Sequence, residues 1–148
     1  MHVSDRGISK MAKANVIATL LPGTTLFLGK KEYAPGRKMI DLGCEVALAS
    51  DYNPGSCTLQ SMPQIISLGT LYCGLTTHEA FKASTFNGAK AVNRSSLIGI
   101  IKEGFQADLL FWDLENIDEK DIPDDMIINV MVNKNNIFTE INQFYEYY

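Results

Sequence analysis

A short, wholly apolar run that ends in a carboxylate constrains this chain more than any other feature. Residues 46–49 are all apolar, and Ser50 and Asp51 follow directly, ahead of the turn-forming sequence Asn-Pro-Gly-Ser. Such a run, bounded by turn-forming residues, predicts a strand buried on both faces, as in parallel sheets. An Asp at the carboxyl end of a parallel strand lies where α/β folds place their chemistry. The segment therefore predicts one wall of an active site.

Apolar runs alternate with helical patterns over the first fifty residues. A second buried strand is predicted where an apolar run stops at Pro22 and Gly23. Apolar residues at helical spacing follow the potential cap Ser4, and a later helix is predicted to end at Gly43. The predicted order is helix, strand, loop, helix and strand, at residues 4–14, 16–21, 24–33, 34–42 and 46–49. This alternation is typical of a parallel α/β sheet.

The chain changes character after Asp51. Apolar residues recur at helical intervals over residues 60–71, and Thr76 with Glu79 has the pattern of a capping box for a helix that continues through Ala91. From residue 98 the period becomes strand-like, which predicts strands at 98–101, 107–112, 127–132 and 137–139. We therefore predict an α/β body at residues 1–96, a β segment at 97–141 and a tail at 142–148.

Length and charge exclude several classes of protein. The 148 residues are too few for a complete eight-stranded α/β barrel, which takes roughly 250 residues. A net charge of -4, without a cluster of Lys and Arg, argues against a nucleic-acid partner. No apolar run approaches the roughly 20 residues of a membrane helix, so we expect no membrane partner.

The cysteines predict a compartment. Cys44, Cys57 and Cys73 form no Cys-x-x-Cys pair. An odd number of cysteines without metal-binding spacing predicts reduced, mostly buried thiols. Because disulfides form in oxidising compartments, such thiols are typical of a cytoplasmic protein.

Asp51 has two interpretations on the residues alone. A carboxylate is an oxygen ligand for zinc or iron, and it accepts a proton from metal-bound water. An Asp in this position is equally an ordinary cap for loop backbone, because such side chains accept hydrogen bonds from nearby N–H groups. Ser56 likewise either faces a ligand or belongs to a self-satisfied Pro-Gly turn. The residues leave both questions open.

The order and spacing of several blocks resemble a known family. Residues 49–56 (Ala-Ser-Asp-Tyr-Asn-Pro-Gly-Ser) and three earlier blocks, 3–8, 19–24 and 33–41, are similar to successive parts of the imidazolonepropionases. These are ring-opening hydrolases of histidine degradation in the amidohydrolase superfamily. The resemblance implies the C-terminal part of a TIM-type (β/α)8 metal-dependent hydrolase barrel, with post-barrel helices up to residue 96, plus a small β-sandwich segment.

The resemblance also implies roles for individual residues. Asp51 matches the last metal ligand and general base of the family, whose cofactor is one zinc or iron ion (Zn²⁺, Fe²⁺ or Fe³⁺). Asn53, Gly55 and Ser56 match its substrate contacts, through an amide, a backbone N–H and a hydroxyl. The implied reaction is hydrolysis of the cyclic amide bond of 4-imidazolone-5-propionate to N-formimino-L-glutamate. Whether the full-length enzyme is a homodimer is a question that the resemblance leaves open.

The chain also departs from the family pattern. It resembles only the C-terminal third, and the His-x-His and the other metal-binding histidines are missing. His2 and His78 are not carried over to those roles, and His78 is expected on the surface. Arg37 is expected to be a solvated or ion-paired charge. Three functions stay open: one piece of an imidazolonepropionase that is inactive alone, a non-catalytic remnant or assembly domain, and part of another cyclic amidohydrolase or deaminase.

Overall fold

The computed structural model describes residues 3–109. In this part of the chain, helices alternate with two short strands up to residue 48, and three further helices follow. The elements are α1 (Asp5–Lys13), β1 (Ala18–Leu20), α2 (Pro22–Phe27), α3 (Gly36–Asp41), β2 (Val46–Leu48), α4 (Met62–Cys73), α5 (Thr77–Ser84) and α6 (Phe86–Ala91).

The two strands form a parallel pair. Thr19 is opposite Ala47 in the register, between the pairs Ala18–Val46 and Leu20–Leu48. Because the strands run in the same direction, their carboxyl ends lie side by side at one edge of the sheet. The prediction of an α/β protein with parallel strands is confirmed, and Asp51 lies just beyond this edge. Burial on both faces is confirmed for β2, whereas β1 is buried on one face only, because Thr19 is exposed.

One face of the sheet packs into the hydrophobic core. Ala18, Leu20, Val46 and Leu48 belong to a buried cluster that also contains Ile8 from α1, Met39 from α3, Ile65 from α4, and Ala80 and Ala83 from α5. Helix α4 approaches β2 closely, since a Cβ at Gly69 would lie 2.9 Å from Leu48 Cδ1. The helices therefore cover the strands on the side where Val46 and Leu48 project.

The loop predicted at residues 24–33 is wrong in its first part, where the structure has α2. Pro22 ends the predicted strand, and it also starts this helix at the N1 position, where its fixed φ suits a helix. Gly23 lets α2 approach α4, because a Cβ there would lie 2.8 Å from Ile65 Cδ1. The remainder of the predicted loop, residues 28–33, contains no helix or strand, and the helix predicted at 34–42 is α3, Gly36–Asp41.

Two later predictions need correction. The helix predicted to run through Ala91 breaks at Thr85, whose φ of -114° and ψ of -88° are not helical, and divides into α5 and α6. The strand predicted at residues 98–101 is wrong. Ile98 N–H donates to Arg94 O at 3.1 Å, and Gly99 has a φ of 96°, so this segment is a succession of turns.

Several other predictions lie outside the described residues. The strands predicted at 127–132 and 137–139, most of 107–112, and the tail at 142–148 fall there, as does His2. The division into residues 1–96 and 97–141 therefore stays a prediction. Between the predicted strands at 98–101 and 107–112, the chain forms a turn in which Phe105 N–H donates to Lys102 O at 3.1 Å.

An ion pair joins α3 to the start of α5. Arg37 Nη1 lies 3.0 and 2.8 Å from the two carboxylate oxygens of Glu79, and Arg37 Nε donates to Asp41 at 2.9 Å. Glu79 also accepts the Thr76 N–H at 2.9 Å while Thr76 Oγ1 accepts the Glu79 N–H, which completes the predicted capping box. The expectation that Arg37 is a paired charge is confirmed.

Replacing Gly36 by Ala should destabilise the fold. Its Cβ would lie 2.7 Å from the backbone oxygen of Cys73 and 2.6 Å from Leu75 Cδ1, so the backbones of α3 and the α4–α5 connection would have to separate. We expect a loss of about 1–3 kcal/mol of unfolding free energy in urea titrations. The control Gly88→Ala, in a helix with only Ala83 O at 3.5 Å, should be neutral or gain up to about 1 kcal/mol. Equal losses in both variants would contradict this packing.

The ion pair between Glu79 and Arg37 should make the stability of the fold depend on pH in the acidic range. Burial by itself raises the pKa of Glu79, but hydrogen bonds from Arg37 and Thr76 favour the carboxylate and lower the pKa overall. This stabilisation is present above the unfolded pKa of about 4.3 and is lost as pH falls through the lower folded pKa. Glu79→Gln, which retains a capping-box residue, should be less stable than the native chain at pH 7. The difference should shrink towards pH 3 in thermal unfolding, whereas a constant difference would exclude the ion pair as its cause.

Candidate active site

Asp51 lies three residues beyond β2, at the edge where both strands end. Its φ of 52° is in the left-handed region, which Asp tolerates better than most residues. The side chain is exposed, and Thr24 Oγ1 donates to Asp51 Oδ2 at 2.7 Å. Because Thr24 lies in α2, just after β1, this bond joins the carboxyl ends of the two strands. The structure thus places the predicted carboxylate at the carboxyl edge of a parallel strand pair, the edge at which α/β folds place their chemistry.

The loop that follows Asp51 is closed on itself. Asn53 N–H donates to Cys57 O at 2.8 Å, and Cys57 N–H donates back to Asn53 O at 3.3 Å. Within this ring, Asn53 Oδ1 accepts the N–H groups of Gly55 at 2.9 Å and Ser56 at 2.8 Å. A single Asn side chain therefore fixes the Pro-Gly turn from inside.

The same side chain connects the loop to Asp51. Asn53 Nδ2 lies 2.6 Å from the backbone oxygen of Asp51 and 2.8 Å from Ser56 Oγ. The backbone at Asp51 is thereby held by its own loop, while its carboxylate is held by Thr24. Beneath the loop, Cys57 is fully buried. The carboxylate is thus exposed on a restrained backbone.

The structure brings together all four residues that the sequence predicts for the site. Asp51, Asn53, Gly55 and Ser56 lie in one loop, and Asn53 and Ser56 are half-buried. The N–H of Gly55, expected to face a ligand, instead donates to Asn53 Oδ1. Ser56 also forms its hydrogen bonds within the loop, with Asn53. These bonds agree with the alternative that Ser56 belongs to a turn whose polar groups satisfy one another. Roles in substrate binding stay a prediction for these three residues.

Thr24 is the site residue that sequence reasoning missed. The sequence pattern predicts a loop at this position, although Thr24 follows the strand that pairs with the one before Asp51. The carboxyl ends of neighbouring parallel strands meet at one edge, and this rule was the available signal. It points to polar residues just after residue 21 as partners for Asp51.

Asp51 suits a metal ion as one ligand of a larger set. Among residues 3–109, no group of three or more His, Cys, Asp or Glu side chains is placed to hold a metal ion. The Asp51 carboxylate is exposed, and Thr24 occupies only one of its oxygens. Its oxygen chemistry suits zinc or iron. His78, the histidine within the described range, is exposed on α5, as expected for a surface residue.

A groove of about 550 Å³ lies elsewhere, beside α3 and the end of α4, and Asp51 does not line it. Its lining includes Tyr33 and Tyr72, whose rings stack with centroids 4.6 Å apart.

Burial raises the pKa of the Cys73 thiol to about 11, which keeps it protonated at neutral pH. Cys44, Cys57 and Cys73 are all free and buried, so the prediction of buried, unpaired thiols is confirmed.

Comparison with known proteins agrees with this geometry. The model of the amidohydrolase family matches residues 1–142. The chain belongs to the amidohydrolase family. An imidazolonepropionase of Parabacteroides distasonis is 54% identical over 110 residues, which are 74% of this chain and 26% of that protein. One from Bacillus thuringiensis is 48% identical over 113 residues, 76% of this chain and 27% of that protein.

The amidohydrolase chain spans about a quarter of the length of these relatives. Its fold resembles that of an adenosine deaminase from Xanthomonas campestris, solved with bound zinc, at a TM-score of 0.68 and 20% identity. That match covers 88% of this chain and 32% of the deaminase. The predicted α/β hydrolase class and the resemblance to imidazolonepropionases are therefore confirmed. Residues 3–109 contain no helix long and apolar enough to cross a membrane.

Replacing Asn53 by Ala should open the loop. The N–H groups of Gly55 and Ser56 lose their shared acceptor, so their hydrogen exchange should accelerate at least tenfold, about the effect of one hydrogen bond of 1.4 kcal/mol. Asn53→Asp is the matched control, since its carboxylate still accepts both bonds. If Asn53→Ala exchanges at the native rate, the amide does not hold the turn.

Proposed function

We propose that this chain contributes Asp51 and its loop to an imidazolonepropionase. The reaction is hydrolysis of the cyclic amide bond of 4-imidazolone-5-propionate to N-formimino-L-glutamate in histidine degradation. The observation that carries the proposal is the exposed Asp51 carboxylate, held by Thr24 at the carboxyl edge of β1 and β2. The imidazolonepropionase relatives, at 48–54% identity, supply the substrate class.

The architecture supports a more specific place within the family fold. β1 and β2 would be the last two strands of a TIM-type (β/α)8 barrel, with α5 and α6 as post-barrel helices. Their parallel pairing and the helices packed on one face support this assignment. Residues 97–141 would form the small β-sandwich segment of such an enzyme. The chain alone would be inactive, because most metal ligands are missing from its sequence.

Asp51 would hold the metal together with ligands from outside the described residues. A bound zinc or iron ion supplies a Lewis acid that lowers the pKa of water to near 7. Asp51 Oδ2 stays bonded to Thr24, so the Thr24 hydroxyl fixes the direction of the carboxylate. As general base, the carboxylate would take a proton from the water whose oxygen bonds to the ring carbonyl carbon. It would return that proton to the ring nitrogen as the C–N bond breaks.

The loop at residues 53–56 would contact the substrate. In this structure the polar groups of the loop bond to one another, as Asn53 does to Ser56. The side chains of Asn53 and Ser56 are half-buried, so the loop presents a polar surface to a ligand. A propionate carboxylate would accept bonds from Asn53 Nδ2 or Ser56 Oγ after these give up their mutual contact. The partner is thus a small molecule, and buried free thiols support a cytoplasmic location.

Asp51→Asn should strongly reduce the activity of a chimera in which the matched 110 residues of the Parabacteroides distasonis relative are replaced by those of this chain. Loss of the general base should lower kcat by about 10² to 10⁴-fold. The measurement is formation of N-formimino-L-glutamate by mass spectrometry, with bound metal determined in parallel. The control His78→Ala changes an exposed residue and should retain kcat within about twofold, well below the effect of a lost base.

Three results would contradict the proposal. An active Asp51→Asn chimera would exclude the carboxylate as the base. A chimera that deaminates cyclic substrates while leaving imidazolone propionate intact would favour the deaminase alternative. A folded chimera without metal or any activity would favour a non-catalytic role for this chain.

A further inference from the structure

The orientation of the Asp51 carboxylate depends on one side-chain hydrogen bond. Asn53 Nδ2 bonds to the backbone oxygen of Asp51 at 2.6 Å, which restrains the main chain and not the carboxylate. The carboxylate accepts the Thr24 hydroxyl through Oδ2 at 2.7 Å, and its Oδ1 accepts no hydrogen bond from residues 3–109. Without the bond from Thr24, an exposed Asp side chain would be distributed over several staggered rotamers. The Thr24 hydroxyl therefore decides where Asp51 Oδ1 points.

The strand pairing directs the Thr24 hydroxyl towards the carboxylate. A helical Thr often bonds its hydroxyl to the carbonyl four residues earlier, as Thr25 Oγ1 does with Leu21 O at 3.3 Å. For Thr24 that carbonyl is Leu20 O, which already accepts the Ala49 N–H at 3.1 Å as part of the pairing between the strands. Because this local acceptor is engaged, the Thr24 hydroxyl donates across the strand ends instead.

Close packing holds the start of α2 against the loop that carries Asp51. A Cβ at Gly23 would lie 3.0 Å from Cys57 Sγ and 2.8 Å from Ile65 Cδ1. Cys57 is fully buried beneath the loop. Because Gly23 directly precedes Thr24, its missing side chain allows the Thr24 hydroxyl to come within bonding distance of the carboxylate.

We propose that Thr24 is a positioning residue, which commits Asp51 Oδ2 to the protein and reserves Oδ1 for the metal ion. The site then offers the ion a single oriented oxygen, in place of a carboxylate that rotates or binds through both oxygens. Gly23 contributes by keeping the hydroxyl within reach. Partners of this kind orient metal ligands, and their loss typically lowers metal affinity by about 10- to 100-fold. The inference rests on the proposed role of Asp51 as a metal ligand.

The first test measures zinc binding by the metal-free chimera described above, in competition with a chromophoric chelator. Thr24→Val removes the hydroxyl and keeps the shape of the side chain, so zinc affinity should fall at least about tenfold. Thr24→Ser restores the hydroxyl and should bind zinc within about threefold of the parent chimera. Thr25→Val is the matched control, because it removes the neighbouring hydroxyl, which bonds to Leu21 O, and it should leave the affinity unchanged.

The kinetic constants provide a second readout. Thr24→Val should lower kcat by about tenfold or more while KM stays within about threefold, since residues 53–56 keep their own hydrogen bonds. Thr24→Ser should recover most of kcat. Equal changes in the Thr24→Val and Thr25→Val chimeras would indicate a general loss of folding and would overturn the proposal.

A double-variant cycle tests the role of Gly23. Gly23→Ala should move α2 away from the loop and weaken zinc binding through the same hydrogen bond. The variant with both Gly23→Ala and Thr24→Val should therefore bind zinc within about threefold of Thr24→Val alone. Losses that multiply would overturn the role of Gly23. Circular dichroism verifies the fold of each variant, and the Thr24 variants decide the proposal if Gly23→Ala does not fold.

Crystal structures of the metal-free 148-residue chain give a readout that needs neither metal nor substrate. The Asp51 carboxylate should keep one orientation in the native chain and in Thr24→Ser, and should occupy several orientations in Thr24→Val. An unchanged single orientation in Thr24→Val would overturn the proposal, as would an unchanged zinc affinity.

Failure of this inference differs from failure of the catalytic proposal. An inactive Asp51→Asn chimera, together with native zinc affinity and kcat in Thr24→Val, would overturn the role of Thr24 and leave the catalytic proposal standing. An active Asp51→Asn chimera would overturn the catalytic proposal, whichever way the carboxylate points.

Discussion

The parallel pairing of β1 and β2 is the constraint on which the rest of this structure depends. It places the carboxyl ends of the strands side by side, so that Thr24 reaches Asp51 across 27 positions of sequence. It also fixes which side chains enter the core, because Val46 and Leu48 project towards the helices. A shift of one residue in either strand would reverse the faces of that strand and move Asp51 away from Thr24.

At the candidate site, hydrogen bonds hold the backbone of Asp51, whereas its carboxylate is exposed. Asn53 uses both ends of its amide to hold the Pro-Gly turn and the backbone of Asp51. The Asp51 carboxylate remains exposed, with one bond from Thr24. Such a division would suit the roles of metal ligand and proton acceptor that we propose for Asp51, because its backbone is held while its carboxylate stays accessible. An amidohydrolase fold thus accounts for the position of Asp51 even though the described residues do not complete a metal site.

Sequence reasoning succeeded where local chemistry and burial pointed to the same structure. Residues 46–49 were predicted as a buried strand, and Thr76 with Glu79 was predicted as a cap, because each pattern contains its own physical cause. It failed where close packing decided the outcome. Pro22 and Gly23 resemble a simple stop, yet Gly23 fits a helix against Ile65, and Gly99 turns a strand-like apolar run into bends against α6.

The sequence by itself determined the strand–Asp51–turn order, the helical amphipathicity and the family, since these depend on residue types at fixed spacing. Only the tertiary structure decided that Thr24 binds Asp51 and that Asn53 directs its amide into its own loop. It also decided that Asn87 reaches Val46 across 41 positions. Contacts between distant segments depend on strand register and helix packing, which residue order does not reveal without the fold.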